Sequence, residues 1–130
     1  MKLRLLLIVS VLVLFVAVTN CIGGTKIKGS GKLGSEERSI KGVMGVKLGT
    51  IGTLYIEIGS KEKFKIEADD NLLEYFITEV DDGILEIDTR RNSNIHTKKE
   101  VKYYLTVKEL ESIGISSSGD VIAPDIKTDN

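Results

Sequence analysis

From Arg38 onward the apolar side chains recur at every second residue, and this period of two commits the chain to strands. Val46 and Leu48 flank Lys47, Leu54, Ile56 and Ile58 alternate with Tyr55 and Glu57, and Phe64, Ile66 and Ala68 alternate with Lys65 and Glu67. Leu85 and Ile87 flank Glu86, and a run of Val101, Tyr103, Leu105 and Val107 precedes Ile113, Ile115 and Val121. Each such strand has one apolar and one polar face, so the expected class is all-β. The punctuation agrees. Gly59-Ser60-Lys61-Glu62 separates two runs, and Asp81-Asp82-Gly83 suits a tight hairpin with positive φ. Asp70–Phe76 is the best helix candidate, about two turns long, with Asp69 or Asp70 as its N-cap. The polar stretch Arg90–Glu100 reads as a mobile loop.

An internal repeat refines this reading. Val46-Lys47-Leu48-Gly49-Thr50-Ile51-Gly52-Thr53-Leu54-Tyr55-Ile56 lies over Ile113-Gly114-Ile115-Ser116-Ser117-Ser118-Gly119-Asp120-Val121-Ile122-Ala123. Both read apolar-x-apolar, a small-residue corner with glycine, then apolar-x-apolar. The glycine suits a corner whose backbone angle is closed to residues with a Cβ. Strand, corner, strand at repeated positions suggests a β-solenoid whose coils bury their inward faces against one another. A β-sandwich is the alternative, since it also alternates.

The N-terminal part reads as an address. Lys2 and Arg4 precede Leu5–Val18, a fourteen-residue stretch in which Ser10 is the only polar member. That is the pattern of an export signal; at roughly 21 Å as a helix it falls short of the ~30 Å hydrocarbon core, though a tilted anchor extending to Ile22 is a second reading. The sole cysteine, Cys21, follows at once and is similar in placement to the lipidated cysteine of lipoprotein signals, with Asn20 departing from the usual small residue before it. Either way the positive start stays cytoplasmic and the remainder lies outside the membrane. Residues 1–21 are thus expected to be a signal, lipidation segment or anchor. Residues 22–36, rich in glycine and serine, are expected to be a flexible tether, and residues 37–130 the folded domain.

Other classes are excluded. Lys plus Arg number 18 and Asp plus Glu 19, for a net charge of -1, and a nucleic-acid binder would need a basic surplus. One cysteine rules out a disulfide framework or an all-cysteine zinc site. One histidine, His96, in a polar loop, rules out the usual multi-histidine metal site. No phosphate-binding or nucleophile-elbow glycine pattern is present, and no cofactor is implied.

From Gly29 to Asn130 the chain resembles the head GIN domain family of auto-transporter adhesins. The resemblance is carried by Arg38–Gly59 with its Gly-Thr-Leu-Tyr-Ile core, and by the acidic Glu67–Tyr75 block followed by Glu79–Ile87. Leu105–Ile113 and the Ser117-Ser118-Gly119-Asp120-Val121 corner complete it. It implies a right-handed β-helix-like solenoid with short strands and one short helix, on the cell exterior, and it implies no reaction. Family members usually continue through further Ser-Gly-Asp coils, so the domain is expected to be C-terminally truncated. The resulting uncapped end is expected to self-associate or to pair with a second chain.

The candidate chemistry is modest. Adjacent residues on a strand point to opposite faces, so neither Asp69-Asp70 nor Asp81-Asp82 makes a two-carboxylate site; a cap and a turn are their expected roles. Asp120, after its glycine, suits a corner. Tyr55 lies on a polar face, and of the neighbours Tyr103 and Tyr104 one must face outward; exposed tyrosines can form a binding patch. The candidate surface residues are therefore Tyr55, Tyr104 and Asp120, with Cys21 as the candidate lipidation site. The expected function is non-enzymatic adhesion or envelope scaffolding on a membrane anchor, with a surface polysaccharide or protein as ligand. An anchored extracytoplasmic sensor or partner-binding module is the alternative.

Overall fold

The computed structural model describes residues 25–123. The export segment and Cys21 lie outside these residues. The described chain is all-β, with strands β1 (Thr25–Lys28), β2 (Leu33–Arg38), β3 (Gly45–Leu48), β4 (Thr53–Ile58), β5 (Lys63–Asp69), β6 (Phe76–Asp81), β7 (Ile84–Thr89), β8 (Ser93–His96), β9 (Lys102–Val107), β10 (Ser112–Ile115) and β11 (Asp120–Ile122). One 3₁₀ turn, Asp70–Tyr75, follows β5 where the short helix was expected. No helix among the described residues is long and apolar enough to cross a membrane.

Two main sheets carry the fold. One has four strands in the order β10-β3-β7-β6, and the other has five in the order β11-β4-β9-β5-β2. Among the described residues the sheets do not close into a barrel. The inward faces of both sheets form one core cluster that includes Leu48, Leu54, Ile66, Leu85, Ile87 and Leu105. Tyr103 joins the two layers. Its ring is stacked 6.5 Å from Phe64 of its own sheet and meets Phe76 of the other edge-on at 5.9 Å. Its hydroxyl donates to the Ile51 carbonyl at 2.7 Å, so the buried oxygen is satisfied.

The repeat seen in the sequence is the spatial register. Val46 pairs with Ile113 and Leu48 with Ile115 across the parallel β3–β10 pair, and Leu54 pairs with Val121 across the parallel β4–β11 pair. A third copy stacks on the other side, with Val46 against Leu85 and Leu54 against Tyr103, again parallel. A long insertion containing β8 separates its two strands, which hides it from a fixed-spacing comparison.

The two ends of this stack differ. At one end the strands turn antiparallel: β6 on β7, and β2 on β5, which itself lies antiparallel on β9. Asp82 and Gly83, with φ of 50° and 76°, make the expected hairpin between β6 and β7. At the other end, β10 and β11 are edge strands of their sheets among the described residues.

Several expectations are corrected. The stretch 22–36, read as a tether, enters the fold from Thr25, because β1 pairs with β8 and β2 with β5. The same β1–β8 pairing orders part of the Arg90–Glu100 stretch that reads as a mobile loop. Asp69 does not cap the 3₁₀ turn with its side chain. Its buried carboxylate instead accepts from the backbone N–H groups of Gly31, Lys98 and Lys99 at 2.8, 3.0 and 3.0 Å. One acidic side chain thereby ties the β1–β2 link and the chain after β8 to the end of β5. Burial alone would raise its pKa, yet the backbone donors outweigh it and hold the carboxyl below its ordinary value. The corner glycines also differ from one another. Gly52 has φ +118°, as expected, whereas Gly119 is required by space: a Cβ there would sit 2.6 Å from Leu48 Cδ2.

Candidate functional site

The outer face of the five-stranded sheet carries the candidate residues, and the alternation of β4 and β9 puts them there. Leu54 and Ile56 of β4, and Tyr103, Leu105 and Val107 of β9, point into the core. Thr53, Tyr55 and Glu57, and Lys102, Tyr104 and Thr106, therefore face outward. Strand register sets Tyr55 directly beside Tyr104. Their rings are stacked with centroids 5.3 Å apart and planes 14° from parallel.

The row extends in both directions. Lys65 of β5 is the register partner of Tyr104, and its Nζ lies 4.9 Å from the centroid of that ring. Ile122 of β11 is the register partner of Tyr55 and is 48% exposed. A four-strand row of Lys65, Tyr104, Tyr55 and Ile122 results. Such a stack is worth about 0.5–1.5 kcal/mol and an exposed cation–π contact about 0.5–1 kcal/mol. The contacts therefore set ring orientation more than they set stability. One face of Tyr104 is taken by Tyr55 and the ammonium of Lys65 lies over the ring, so rotation of either tyrosine is restricted.

A shallow groove of about 270 Å³ runs along this row. Its walls are Tyr55, Tyr104, Thr106, Glu57 and Ile122, with backbone of Ile56 and Leu105 contributing to its floor. A parallel row beside it, two residues along each strand, carries Asp120, Thr53, Lys102 and Glu67 in register. Lys65 reaches Glu67 at 3.7 Å. The Tyr104 hydroxyl is pushed above its ordinary pKa by partial desolvation first, and then by hydrogen bonding to and repulsion from the Glu67 carboxylate. It therefore stays a neutral hydrogen-bond donor at neutral pH.

Tyr55, Tyr104 and Asp120 thus share one face, as single strand alternation predicts for the tyrosines. Asp120 opens β11 and is exposed, with its N–H donating to the Gly52 carbonyl at 3.0 Å. Lys65 and Ile122 belong to the same row but did not stand out in the sequence. Only the pairing of distant strands brings them beside the tyrosines. Of the corner serines, Ser117 is structural: its Oγ donates to the Thr50 carbonyl at 2.6 Å and accepts from Gly119 N–H at 3.2 Å. His96 ends β8 and is exposed, remote in sequence and in sheet from the tyrosine row. Among the described residues no group of three or more His, Cys, Asp or Glu side chains could hold a metal ion.

An apolar strip with fixed ring edges, flanked by donors and acceptors of both charges, suits recognition of a surface with alternating apolar and hydroxyl groups. Residues 44–130, which contain this whole tyrosine pair, match the family described as "Putative auto-transporter adhesin, head GIN domain". The chain belongs to this family. Membership makes the domain adhesin-like, and the family description suggests a cell-surface or extracytoplasmic location. No curated protein matches the chain.

Three solved structures share the fold. A "putative adhesin" from Bacteroides fragilis NCTC 9343 is 25% identical with a TM-score of 0.68, the match covering 73% of this chain and 44% of that one. A "putative adhesin" from Parabacteroides merdae ATCC 43184 is 23% identical with a TM-score of 0.65, covering 76% and 41%. A "putative lipid binding protein" from Parabacteroides distasonis ATCC 8503 is 23% identical with a TM-score of 0.66, covering 76% and 44%. The chain spans less than half the length of each of these structures.

Proposed function

We propose that this chain is a non-enzymatic adhesion or scaffolding domain of the cell envelope, held to the membrane through its N-terminal segment and exposed outside it. The strand–corner–strand units are read as coils of a right-handed β-solenoid, with the internal repeat and its parallel register as support. Leu5–Val18 directs export, and Cys21 is the site of lipid attachment. The outer face of the five-stranded sheet is the binding face, and a surface polysaccharide or protein is its ligand.

The observation that carries the reading is the stacked Tyr55–Tyr104 pair. Two aromatic side chains held side by side on a water-facing sheet contribute little to folding and present a rigid apolar strip with two hydroxyls. Rigid aromatics lose little conformational entropy on contact, which is why they dominate recognition surfaces. Glu57, Lys102 and Asp120 around the strip supply the polar rim.

The test is retention of the chain on whole cells and on purified surface polysaccharide, comparing the native sequence with Tyr55→Ala/Tyr104→Ala. The reading expects retention to fall about tenfold, that is by roughly 1.4 kcal/mol, with the circular dichroism spectrum unchanged. Equal retention of both proteins would remove this face from the binding function. Mass spectrometry of the membrane-extracted native chain beside Cys21→Ser checks the anchor: lipid on the first and none on the second is the expected result.

A further inference from the structure

The aromatic stack on the five-stranded sheet carries a cation at one end only. With planes 14° from parallel and centroids 5.3 Å apart, Tyr55 and Tyr104 overlap face to face, because coplanar rings so close would collide. The stack therefore runs across the strands, and each ring stands upright from the sheet. In the order β11-β4-β9-β5-β2, Tyr104 of β9 has Tyr55 on one side and Lys65 of β5 on the other, with Nζ 4.9 Å from the ring centroid. Both faces of Tyr104 are taken. The outer face of Tyr55 turns toward β11, where its register partner is Ile122. Isoleucine is the shorter side chain, so the outer part of the Tyr55 ring stands clear of it. Both residues line the groove of about 270 Å³, and so does Glu57, exposed two residues along β4.

The charges of this face are unevenly matched. Lys65 pairs with Glu67 at 3.7 Å and Lys102 with Glu100 at 3.8 Å. Among the described residues no cationic side chain lies within 4.0 Å of the carboxylates of Glu57 or Asp120. The β4–β11 side of the tyrosine row therefore has two uncompensated negative charges.

We propose that this groove takes a lysine or arginine side chain of a protein partner. The proposal rests on the outer face of the five-stranded sheet being the binding face, and it selects protein over polysaccharide as the ligand. The aliphatic stem of the incoming side chain lies along Ile122. Its cationic head sits over the open part of the Tyr55 ring, as Lys65 sits over Tyr104, and donates to the Glu57 carboxylate. Asp120, on the other side of the row, favours the approach of a basic segment. A sugar ring stacks on a whole aromatic face, and this site offers only part of one. A cationic head needs no more than that part and also uses the carboxylate.

The test is the fluorescence anisotropy of a labelled peptide of alternating lysine and serine, titrated with the full chain in detergent. The native chain is expected to bind it. Glu57→Gln should weaken binding about threefold to fivefold, Tyr55→Ala should weaken it by a similar factor, and acetylation of the peptide's lysines should abolish it. Glu79→Gln removes the same charge from an exposed position on β6, in the other sheet, and should leave binding unchanged. A native chain that does not bind the peptide overturns the proposal. So does binding that ignores Glu57→Gln or lysine acetylation, or an equal loss in Glu79→Gln. Retention on cells and on purified polysaccharide separates this failure from failure of the binding face. If the peptide result is negative and Tyr55→Ala/Tyr104→Ala still loses retention, the face stands and its ligand is not a basic side chain. If that variant is retained in full, the face falls as well.

Discussion

Leu48 and Ile115 occupy equivalent places on adjacent parallel strands, yet one is fully buried and the other is 49% exposed. The two side chains are isomers, so hydrophobicity does not separate them. What separates them is the presence of a neighbour on the far side: β7 covers Leu48, and no described strand covers Ile115. The antiparallel end has the same geometric need and meets it with Arg38, whose charge is matched by carbonyls and Glu36. In a stacked fold, then, the value of a residue is set by its rung as much as by its chemistry. The polar closure belongs to the five-stranded sheet; at the same end of the four-stranded sheet, the core-facing Val80 of β6 is in register with buried Leu85 and is itself 37% exposed.

The sharpest test of that comparison is a pair of truncations. Leu48→Ala removes a side chain from the closed core and is expected to cost about 2–5 kcal/mol. Ile115→Ala in dilute chain should cost less than about 1 kcal/mol, because little area is lost from a half-exposed site. Denaturant midpoints of both variants decide the matter. Equal costs in dilute chain would break the distinction between the rungs.

Asp69 probes the polar end. Asp69→Asn removes the charge that three backbone donors face and should cost on the order of 3 kcal/mol. Because the folded pKa of Asp69 is lowered, its contribution is fully present above the unfolded carboxylate pKa and is lost as pH falls through the folded value. Urea midpoints of the native chain and Asp69→Asn should therefore converge as the pH is taken below the ordinary carboxylate range. Midpoints separated by the same amount at every pH would show that the carboxylate charge is irrelevant.

Glycine substitutions give a smaller contrast. Gly52→Ala places a Cβ 2.7 Å from Tyr103 Cε2 at φ +118°, and should cost about 1–3 kcal/mol. At Gly114, on the apolar edge, the nearest atom to a Cβ is Lys47 Cγ at 3.6 Å, so Gly114→Ala should change thermal stability by no more than about 0.5 kcal/mol. The tyrosine row should also contribute little to folding. Tyr104→Ala should cost roughly 1 kcal/mol of folding, so its effect on cell retention can be read as binding. A large drop in melting temperature would instead make the ring a structural element.

Much of the architecture was legible because alternation is a local signal. The faces of β3, β4, β5, β7 and β9 follow from residues two apart, and the repeat of residues 46–56 at 113–123 anticipated a register of strands far apart in sequence. β2 was missed because it reads Leu-Gly-Ser-Glu-Glu-Arg, a polar sequence whose place is an edge where core positions end in charge. β1 and β8 were missed for a related reason: each of these short strands carries a single apolar residue, Ile27 and Ile95, and they find their partner only in each other. Asp69 looked like a helix cap because its neighbours fit that role, and its actual donors are twenty-nine or more residues away. The site shows the same division. Tyr55 and Tyr104 could be placed on outward faces from alternation, whereas Lys65 and Ile122 join them only through strand pairing.

The central claim is that burial follows the rung: strands with a neighbour on both sides bury their inward residues, whereas β10 and β11, edge strands among the described residues, leave Ile113 and Ile115 half-exposed. Amide hydrogen exchange of the chain tests it most directly. The account predicts slow exchange in Val46–Leu48 and Leu54–Ile56 and markedly faster exchange in Ser112–Ile115 and Asp120–Ile122. Protection of β10 and β11 equal to that of β3 and β4 would contradict it.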